Sequence, residues 1–264
     1  MSALHGPYPP RVEKNGFRRR GVEVGRLEAL SDAVFGFAIT LLVVSLEVPA
    51  TFSQLLDTLR GLPAFAASFA LLFMVWLNQY RFFRRYGLED AVTILLNAIL
   101  LFVILFFVYP LKFVFQLVVG MALGPAWMPG GGRAPGEVVG LGQGPLMMMI
   151  FGAGYVAVFL IFALLNLHAY RQRDALELNE LERFETRDNL REALLNAAVG
   201  VLSITIAVVG GARYSFVAGM AYWLVGPAMM VNGFIAGSAR NRLRARLAAE
   251  GGSAPIAPMA SAAG

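Results

Sequence analysis

The residues best suited to chemistry in this chain crowd one short segment. Arg26, Ser31 and Asp32 lead directly into Ala33-Val34-Phe35-Gly36-Phe37-Ala38-Ile39-Thr40-Leu41-Leu42-Val43-Val44, so a base, a hydroxyl and an acid stand at the mouth of an apolar run. Charge at membrane depth is costly, and where it occurs it is paired and tied to function. Elsewhere reactive residue types are scarce. Cysteine is absent, which excludes a disulfide framework, thiol catalysis and thiolate metal sites. The two histidines, His5 and His168, make no HExxH or comparable metal spacing. His168 falls at the end of an apolar stretch, where a polar interfacial cap is the expected role. No Ser/His/Asp set and no nucleotide motif falls in a connection between apolar stretches. An enzyme is therefore not expected, nor a cofactor or metal site.

The elements that must position this segment are membrane helices. The chain is 58% hydrophobic and 15% charged, with a mean hydropathy of +0.64, against about 45–50% apolar and about 25% charged residues in soluble domains. Six stretches approach the ~20 residues that cross a bilayer: 30–48, 61–81, 91–119, 145–168, 192–211 and 215–237. Their length, and the lack of alternation in strand-sized units, favour helices over a membrane barrel. The expected fold is all-α, a polytopic membrane protein with six transmembrane helices.

Basic residues orient the spans. Arg11, Lys14, Arg18, Arg19, Arg20 and Arg26 precede the first; Arg81, Arg84 and Arg85 follow the second. The fourth connection holds Arg171, Arg173, Arg183, Arg187 and Arg191, and the tail holds Arg240, Arg242, Arg244 and Arg246. The alternate connections carry only Arg60, Arg133 and Arg213. By the positive-inside rule both termini are cytoplasmic, in a multi-pass protein of the inner (plasma) membrane. The first 25 residues show no signal-peptide pattern. The same bias explains the pI of about 9.8, so no nucleic-acid partner is expected. Residues 1–25 read as a basic cytoplasmic segment, 26–240 as the transmembrane domain, and 241–264 as a basic, then disordered, cytoplasmic tail.

The third connection, 120–144, contains Gly130-Gly131-Gly132 with Pro125, Pro129 and Pro135. It has neither a following Lys-Ser/Thr nor a Thr-Val-Gly-Tyr-Gly run, and reads as a flexible external linker. The fourth, Arg171 to Glu192, mixes charge signs at three- and four-residue spacings. The spacing suggests that the fourth span continues into the cytoplasm, and the preferred reading is a solvated helical loop.

Helical geometry divides the first span into two faces. From Phe37, Leu41 lies about 40° away and Val44 about 20° the other way, with Thr40 about 60° off and Asp32 about 140° off. Phe37, Leu41 and Val44 thus form one apolar stripe with a hydroxyl at its edge, and Asp32 faces elsewhere. Arg26 and Asp32, six residues apart, are about 120° apart around the helix and poorly placed to pair. Partners for Asp32 are expected from other helices, with Asn78, Gln79 and Arg81 at the right depth and Trp76 and Asn97 as further polar contacts. The plainest role of such a cluster is to fix helix packing, and three apolar residues at helical spacing ordinarily mean a packed face.

The pattern Arg26-x-x-x-Leu30-Ser31-Asp32, followed by Ala-Val-Phe, resembles the Arg-x-x-x-Phe-Ser-Asp signature of the transmembrane protein 175 family, lysosomal potassium channels and their bacterial relatives. Trp76-Leu77-Asn78, Asn97 and Pro110 agree with it. The resemblance spans about residues 26–110 and beyond that rests on topology. It implies a homotetramer of six-helix subunits in which the first helix lines a pore closed by apolar side chains. Carried over by position, the constriction is Phe37, Leu41 and Val44, with Thr40 beside it. Arg26, Ser31, Asp32, Trp76, Asn78, Gln79 and Asn97 form the motif and gating network. Phe37 stands where relatives carry Ile or Leu, and Gln79 where many carry His, which removes a group titrating near neutral pH.

These readings converge on a potassium-preferring cation channel whose partners are potassium ions, membrane lipids and three further copies of the chain. A proton-conducting or proton-coupled transporter is the alternative. It needs a chain of titratable groups, and the sequence offers only Asp32, Glu47 and Lys112 toward the edges of the spans. A non-conducting scaffold is the other.

Overall fold

Apolar side chains at helical spacing fill every long element, and the structure, a computed structural model, is helical accordingly. It describes residues 13, 17–21, 23–44, 49–127, 138–140 and 142–252. The helices are α1 (Arg26–Val44), α2 (Phe52–Arg60), α3 (Leu62–Tyr86), α4 (Ala91–Leu123), α5 (Gly144–Arg171), α6 (Glu180–Gly210), α7 (Ser215–Met220) and α8 (Val225–Gly252). The glycine run of the expected external linker lies outside the described residues, as do the last twelve residues of the expected tail. Residues 241–252, placed in that tail by sequence, continue α8 as helix.

Among the described residues five segments are long and apolar enough to cross a membrane: α1, α3, α4, α5 and Glu180–Leu247. The last holds two arms, α6 and α8, joined through short 3₁₀ turns and α7. Contacts between the arms run in opposite senses. Ser203 Oγ donates to the Ala218 carbonyl at 2.7 Å, Asn232 Nδ2 to Asp188 Oδ1 at 3.3 Å, and Arg240 Nε lies 2.7 Å from Glu185 Oε1. The arms are therefore antiparallel. The chain turns at Gly211, whose φ of +60° is strained for any L side chain.

α5 and α6 share the most extensive helix pair. Their approach is close: a Cβ on Gly152 would sit 2.5 Å from Ile204 Cγ1. Lipid tails are as apolar as leucine, so contacts of this kind, rather than exclusion from water, hold membrane helices together. α1 packs on α3 and α4, burying Phe35, Ala38 and Leu42 against Leu72, Val75, Leu100, Leu101 and Ile104.

The structure corrects the reading of the fourth connection. α5 ends at Arg171, and a turn follows in which Glu177 has φ +50°. The charged stretch from Glu180 belongs instead to the start of α6, launched by a capping box between Asn179 and Glu182. It is not a solvated loop either, since Glu182, Glu185, Thr186 and Asp188 are buried.

Candidate functional site

One face of α1 is committed to its own bundle. Ser31, Phe35, Ala38 and Leu42, at spacings of four, three and four, are all buried. The other face is left bare: Phe37 is 57% exposed and Val44 70%. Leu41 is half-buried against the core, and Thr40 is exposed with its hydroxyl donating to the Gly36 carbonyl at 2.9 Å. Three apolar side chains of the expected stripe thus occur on one side of α1, with Phe37 and Val44 uncovered by the subunit itself.

At the other end of α1 a buried polar chain joins three helices. Gln79 Nε2 on α3 donates to Asn97 Oδ1 on α4 at 2.7 Å, and Asn97 Nδ2 donates to Ser31 Oγ at 2.9 Å. The Ser31 hydroxyl in turn donates to the Leu27 carbonyl at 2.7 Å. Each link hands a proton donor to the next acceptor, so three side chains that are nearly or fully buried have partners. Asp32 lies outside this chain and accepts from Trp76 Nε1 at 2.8 Å. Trp76 is held by an aromatic run along α3, with Phe73 and Tyr80 at 5.2 and 5.6 Å between ring centroids. Two of the partners named from sequence for this end of α1, Asn78 and Arg81, are not in the network. They line a separate cavity with Asn166, Asn189 and Asn196. Arg26 is exposed on the first turn of α1 and does not pair with Asp32.

The opposite end of α1 is tied as well. Lys112 on α4 donates to the Leu42 carbonyl at 3.5 Å, a cation at a helix C-terminus, where the backbone dipole favours it.

Two further anchors escaped the sequence reading. The first is a strap formed by residues 17–21 and 23–25. Phe17 is fully buried, edge-on to Tyr86 at 5.6 Å and beneath the Arg85 guanidinium at 4.9 Å. Arg18 and Arg20 both reach the buried Glu182 carboxylate, at 3.1 and 2.8 Å. Glu182 sits ten residues before the apolar part of α6. Burial opposes its charge, but hydrogen bonds from Arg18 and Arg20 outweigh that and hold its pKa down at about 2. The strap crosses the end of α3 so closely that a Cβ on Gly21 would meet the Phe83 carbonyl at 2.6 Å. It then enters α1 at Arg26, so the strap links α6 and α3 to the start of α1. Asn179-x-x-Glu182 is a capping box legible in the sequence, but it marks the start of α6 and not the arginines that Glu182 takes as partners.

The second anchor is Asp90, the N-cap of α4. It accepts from the Thr93 backbone amide at 2.8 Å and meets His168 Nε2 and Gln172 Nε2, each at 2.5 Å. Burial would raise the Asp90 pKa; the hydrogen bonds from Thr93, His168 and Gln172 prevail and hold it well below the usual carboxylate range. His168 is thus a polar cap on a neighbouring helix start, and no group of His, Cys, Asp and Glu suited to a metal occurs among the described residues.

The sequence profile of the family described as "Endosomal/lysosomal potassium channel TMEM175" matches residues 26–107, a stretch that carries every residue of the polar chain and of the α1 stripe. A potassium channel of Marivirga tractuosa is 38% identical over 237 residues, which covers 86% of this chain and 93% of that protein. The chain belongs to the TMEM175 family. A protein of Chamaesiphon minutus, described as a potassium channel, is 36% identical over 33% of this chain and 47% of its own length. Among solved structures, a variant of the potassium channel MtTMEM175, crystallised with a nanobody fusion, superposes with a TM-score of 0.74 at 36% identity. It is matched over 86% of this chain and 100% of its own. These TMEM175 relatives are channels rather than enzymes.

Proposed function

We propose that this protein is a potassium-preferring cation channel, a homotetramer whose four α1 helices meet at Phe37, Leu41 and Val44. The observation that carries the reading is the division of α1 between a buried face and an apolar stripe whose Phe37 and Val44 are bare. In a tetramer the stripe gains a purpose, because four copies at the axis narrow the path and repel water without any carbonyl filter. The phenylalanine rings add a second effect. Each face attracts a partly dehydrated cation by about 0.5–2 kcal/mol. Membership in a family of potassium channels supports the ion.

In this reading each subunit spans the membrane six times, with α6 and α8 counted separately and both termini in the cytoplasm. The arginines at the α3 end, the α5–α6 turn and α8 support that orientation. Gln79, Asn97 and Ser31 fix the depth and rotation of α1, while Asp32 on Trp76 and the strap fix its tilt. A channel of this design gates by small rotations of α1 that withdraw Phe37 from the axis.

Reconstitution into potassium-loaded liposomes tests it. Potassium efflux exceeding sodium efflux, raised by Phe37→Ala, is the expected result. A Phe37→Ala protein that assembles normally with unchanged flux and selectivity would overturn the assignment of the pore.

A further inference from the structure

We infer that the groove along α3 and α5, walled by α6 at one end and α4 at the other, is a binding site for an anionic glycerophospholipid, with the phosphate at Arg81 and one acyl chain running along the groove over the apolar recess beyond Phe159. The site has two parts. A cavity of about 150 Å³ is lined by Asn78 and Arg81 of α3, Asn166 of α5, and Asn189, Glu192 and Asn196 of α6. Deeper along α3 and α5, where α4 replaces α6 as the third wall, lies a small apolar recess of about 30 Å³ between Leu71 and Val75 of α3, Phe107 of α4 and Tyr155 of α5. Phe159 lines both, so the two adjoin at its ring. At their junction the Tyr155 hydroxyl donates to Asn196 Oδ1 at 2.8 Å, turning the polar tip of Tyr155 to the cavity and leaving its ring to the recess.

The order of chemistry along each wall matches one lipid leaflet. On α3, Arg81 is followed by Asn78, Val75 and Leu71 toward the middle of the span; on α5, Asn166 is followed by Phe159 and Tyr155. Ten residues separate Arg81 from Leu71, about 15 Å of helix, which is half of the ~30 Å hydrocarbon thickness. The groove is open because α3 and α5 barely touch.

Charge selects the headgroup. Arg81 is exposed and makes no ion pair among the described residues, and Arg85 beside it spends Nε and Nη2 on Glu13, leaving Nη1. The one acid of the cavity, Glu192, is turned to Asn232, which donates to it at 3.4 Å. A guanidinium flanked by amide donors suits a phosphodiester oxygen. This is also the arginine-rich end of the bundle, where anionic headgroups of the inner leaflet gather. A soluble anion has no use for the recess, and an uncharged apolar ligand has none for Arg81. The site stands whether or not the protein conducts.

The test is a titration of the full chain in a neutral detergent with phosphatidylglycerol, phosphatidylcholine or inorganic phosphate. Bound lipid is counted by native mass spectrometry and thermal stability is followed in parallel. Phosphatidylglycerol is expected to bind and stabilise about tenfold more tightly than phosphatidylcholine, because both offer Arg81 a phosphodiester but the choline cation of the latter is repelled by the guanidinium. Arg81→Ala is expected to erase that preference, Arg81→Lys to restore part of it, and Leu71→Trp to weaken both lipids by filling the recess. Equal binding of the two lipids would overturn the inference, as would an unchanged preference in Arg81→Ala. Inorganic phosphate stabilising as well as the lipid would make this a soluble-anion site. Arg81→Ala particles of altered oligomeric mass would make the groove a subunit contact instead.

Discussion

Replacing Asn97 by leucine, a side chain of similar size, breaks the buried polar chain at its centre. Two links are lost at once: Gln79 Nε2 loses its acceptor and Ser31 Oγ its donor. Hydrogen bonds between membrane helices average about 0.6 kcal/mol and reach about 1.7, while a buried group left unpaired in a protein costs about 1–3 kcal/mol. Both side chains are almost wholly buried, so we take about 1 kcal/mol per link and expect Asn97→Leu to cost about 2 kcal/mol. Gln79→Leu breaks one link and should cost about 1 kcal/mol. The informative variant carries both changes. With Gln79 also apolar, no amide is stranded on α3, and the double variant should be no less stable than Asn97→Leu alone. The coupling is then at least about 1 kcal/mol, well outside the 0.3–0.5 kcal/mol scatter of independent sites. Equilibrium unfolding in bicelles, at fixed protein concentration with the oligomeric state checked, measures it. Strict additivity of the two substitutions would show that the chain does not act as a unit and would refute the reasoning.

Glu182→Gln should detach the strap, because two arginines lose a buried carboxylate. A loss of about 3–5 kcal/mol is typical of such a break, read as faster proteolysis before Arg26. The same pair has a defined pH window. The pKa of Glu182 is depressed from 4.5 to about 2, so its contribution is complete above the unfolded value and is lost as pH falls through the folded one. Strap protection should therefore hold at neutral pH and decline only between about 4.5 and 2, as followed by limited digestion with an acid-active protease. Asp90→Ala removes the cap of α4 and should cost about 0.5–2 kcal/mol, whereas Asp90→Asn keeps an acceptor for Thr93 and should cost less, by thermal unfolding. Trp76→Phe keeps the aromatic run but frees Asp32, and should shift open probability in bilayer recordings with the potassium-to-sodium ratio unchanged.

How far the sequence reached depended on the range of each interaction. The α1 stripe follows from spacing within eight residues, and helix geometry alone separates Phe37 from Asp32. Trp76, Gln79 and Asn97 could be named because an amide or indole in an apolar span demands a partner, but which partner each takes is a tertiary fact. That is why Asn78 and Arg81 were grouped with the anchor although they face a different cavity. The strap was invisible for a plainer reason: Arg18 and Arg20 meet Glu182 across more than 160 positions, and nothing local marks the pairing. The connection after α5 was misread because alternating charge at helical spacing looks the same on a solvated helix and on a buried one. Only the capping box at Asn179 separates a new helix from a continued one.

The account turns on which face of α1 meets the ion path, and the absence of cysteine from the chain makes that directly measurable. Single cysteines would replace Phe37, Leu41 and Val44 on one face and Phe35, Ala38 and Leu42 on the other, with a cationic thiol reagent added during bilayer recordings of potassium current. The account predicts rapid modification and altered current at positions 37, 41 and 44, and silence at 35, 38 and 42. Modification following the second set, or neither, in channels that assemble and conduct would contradict an α1-lined pore.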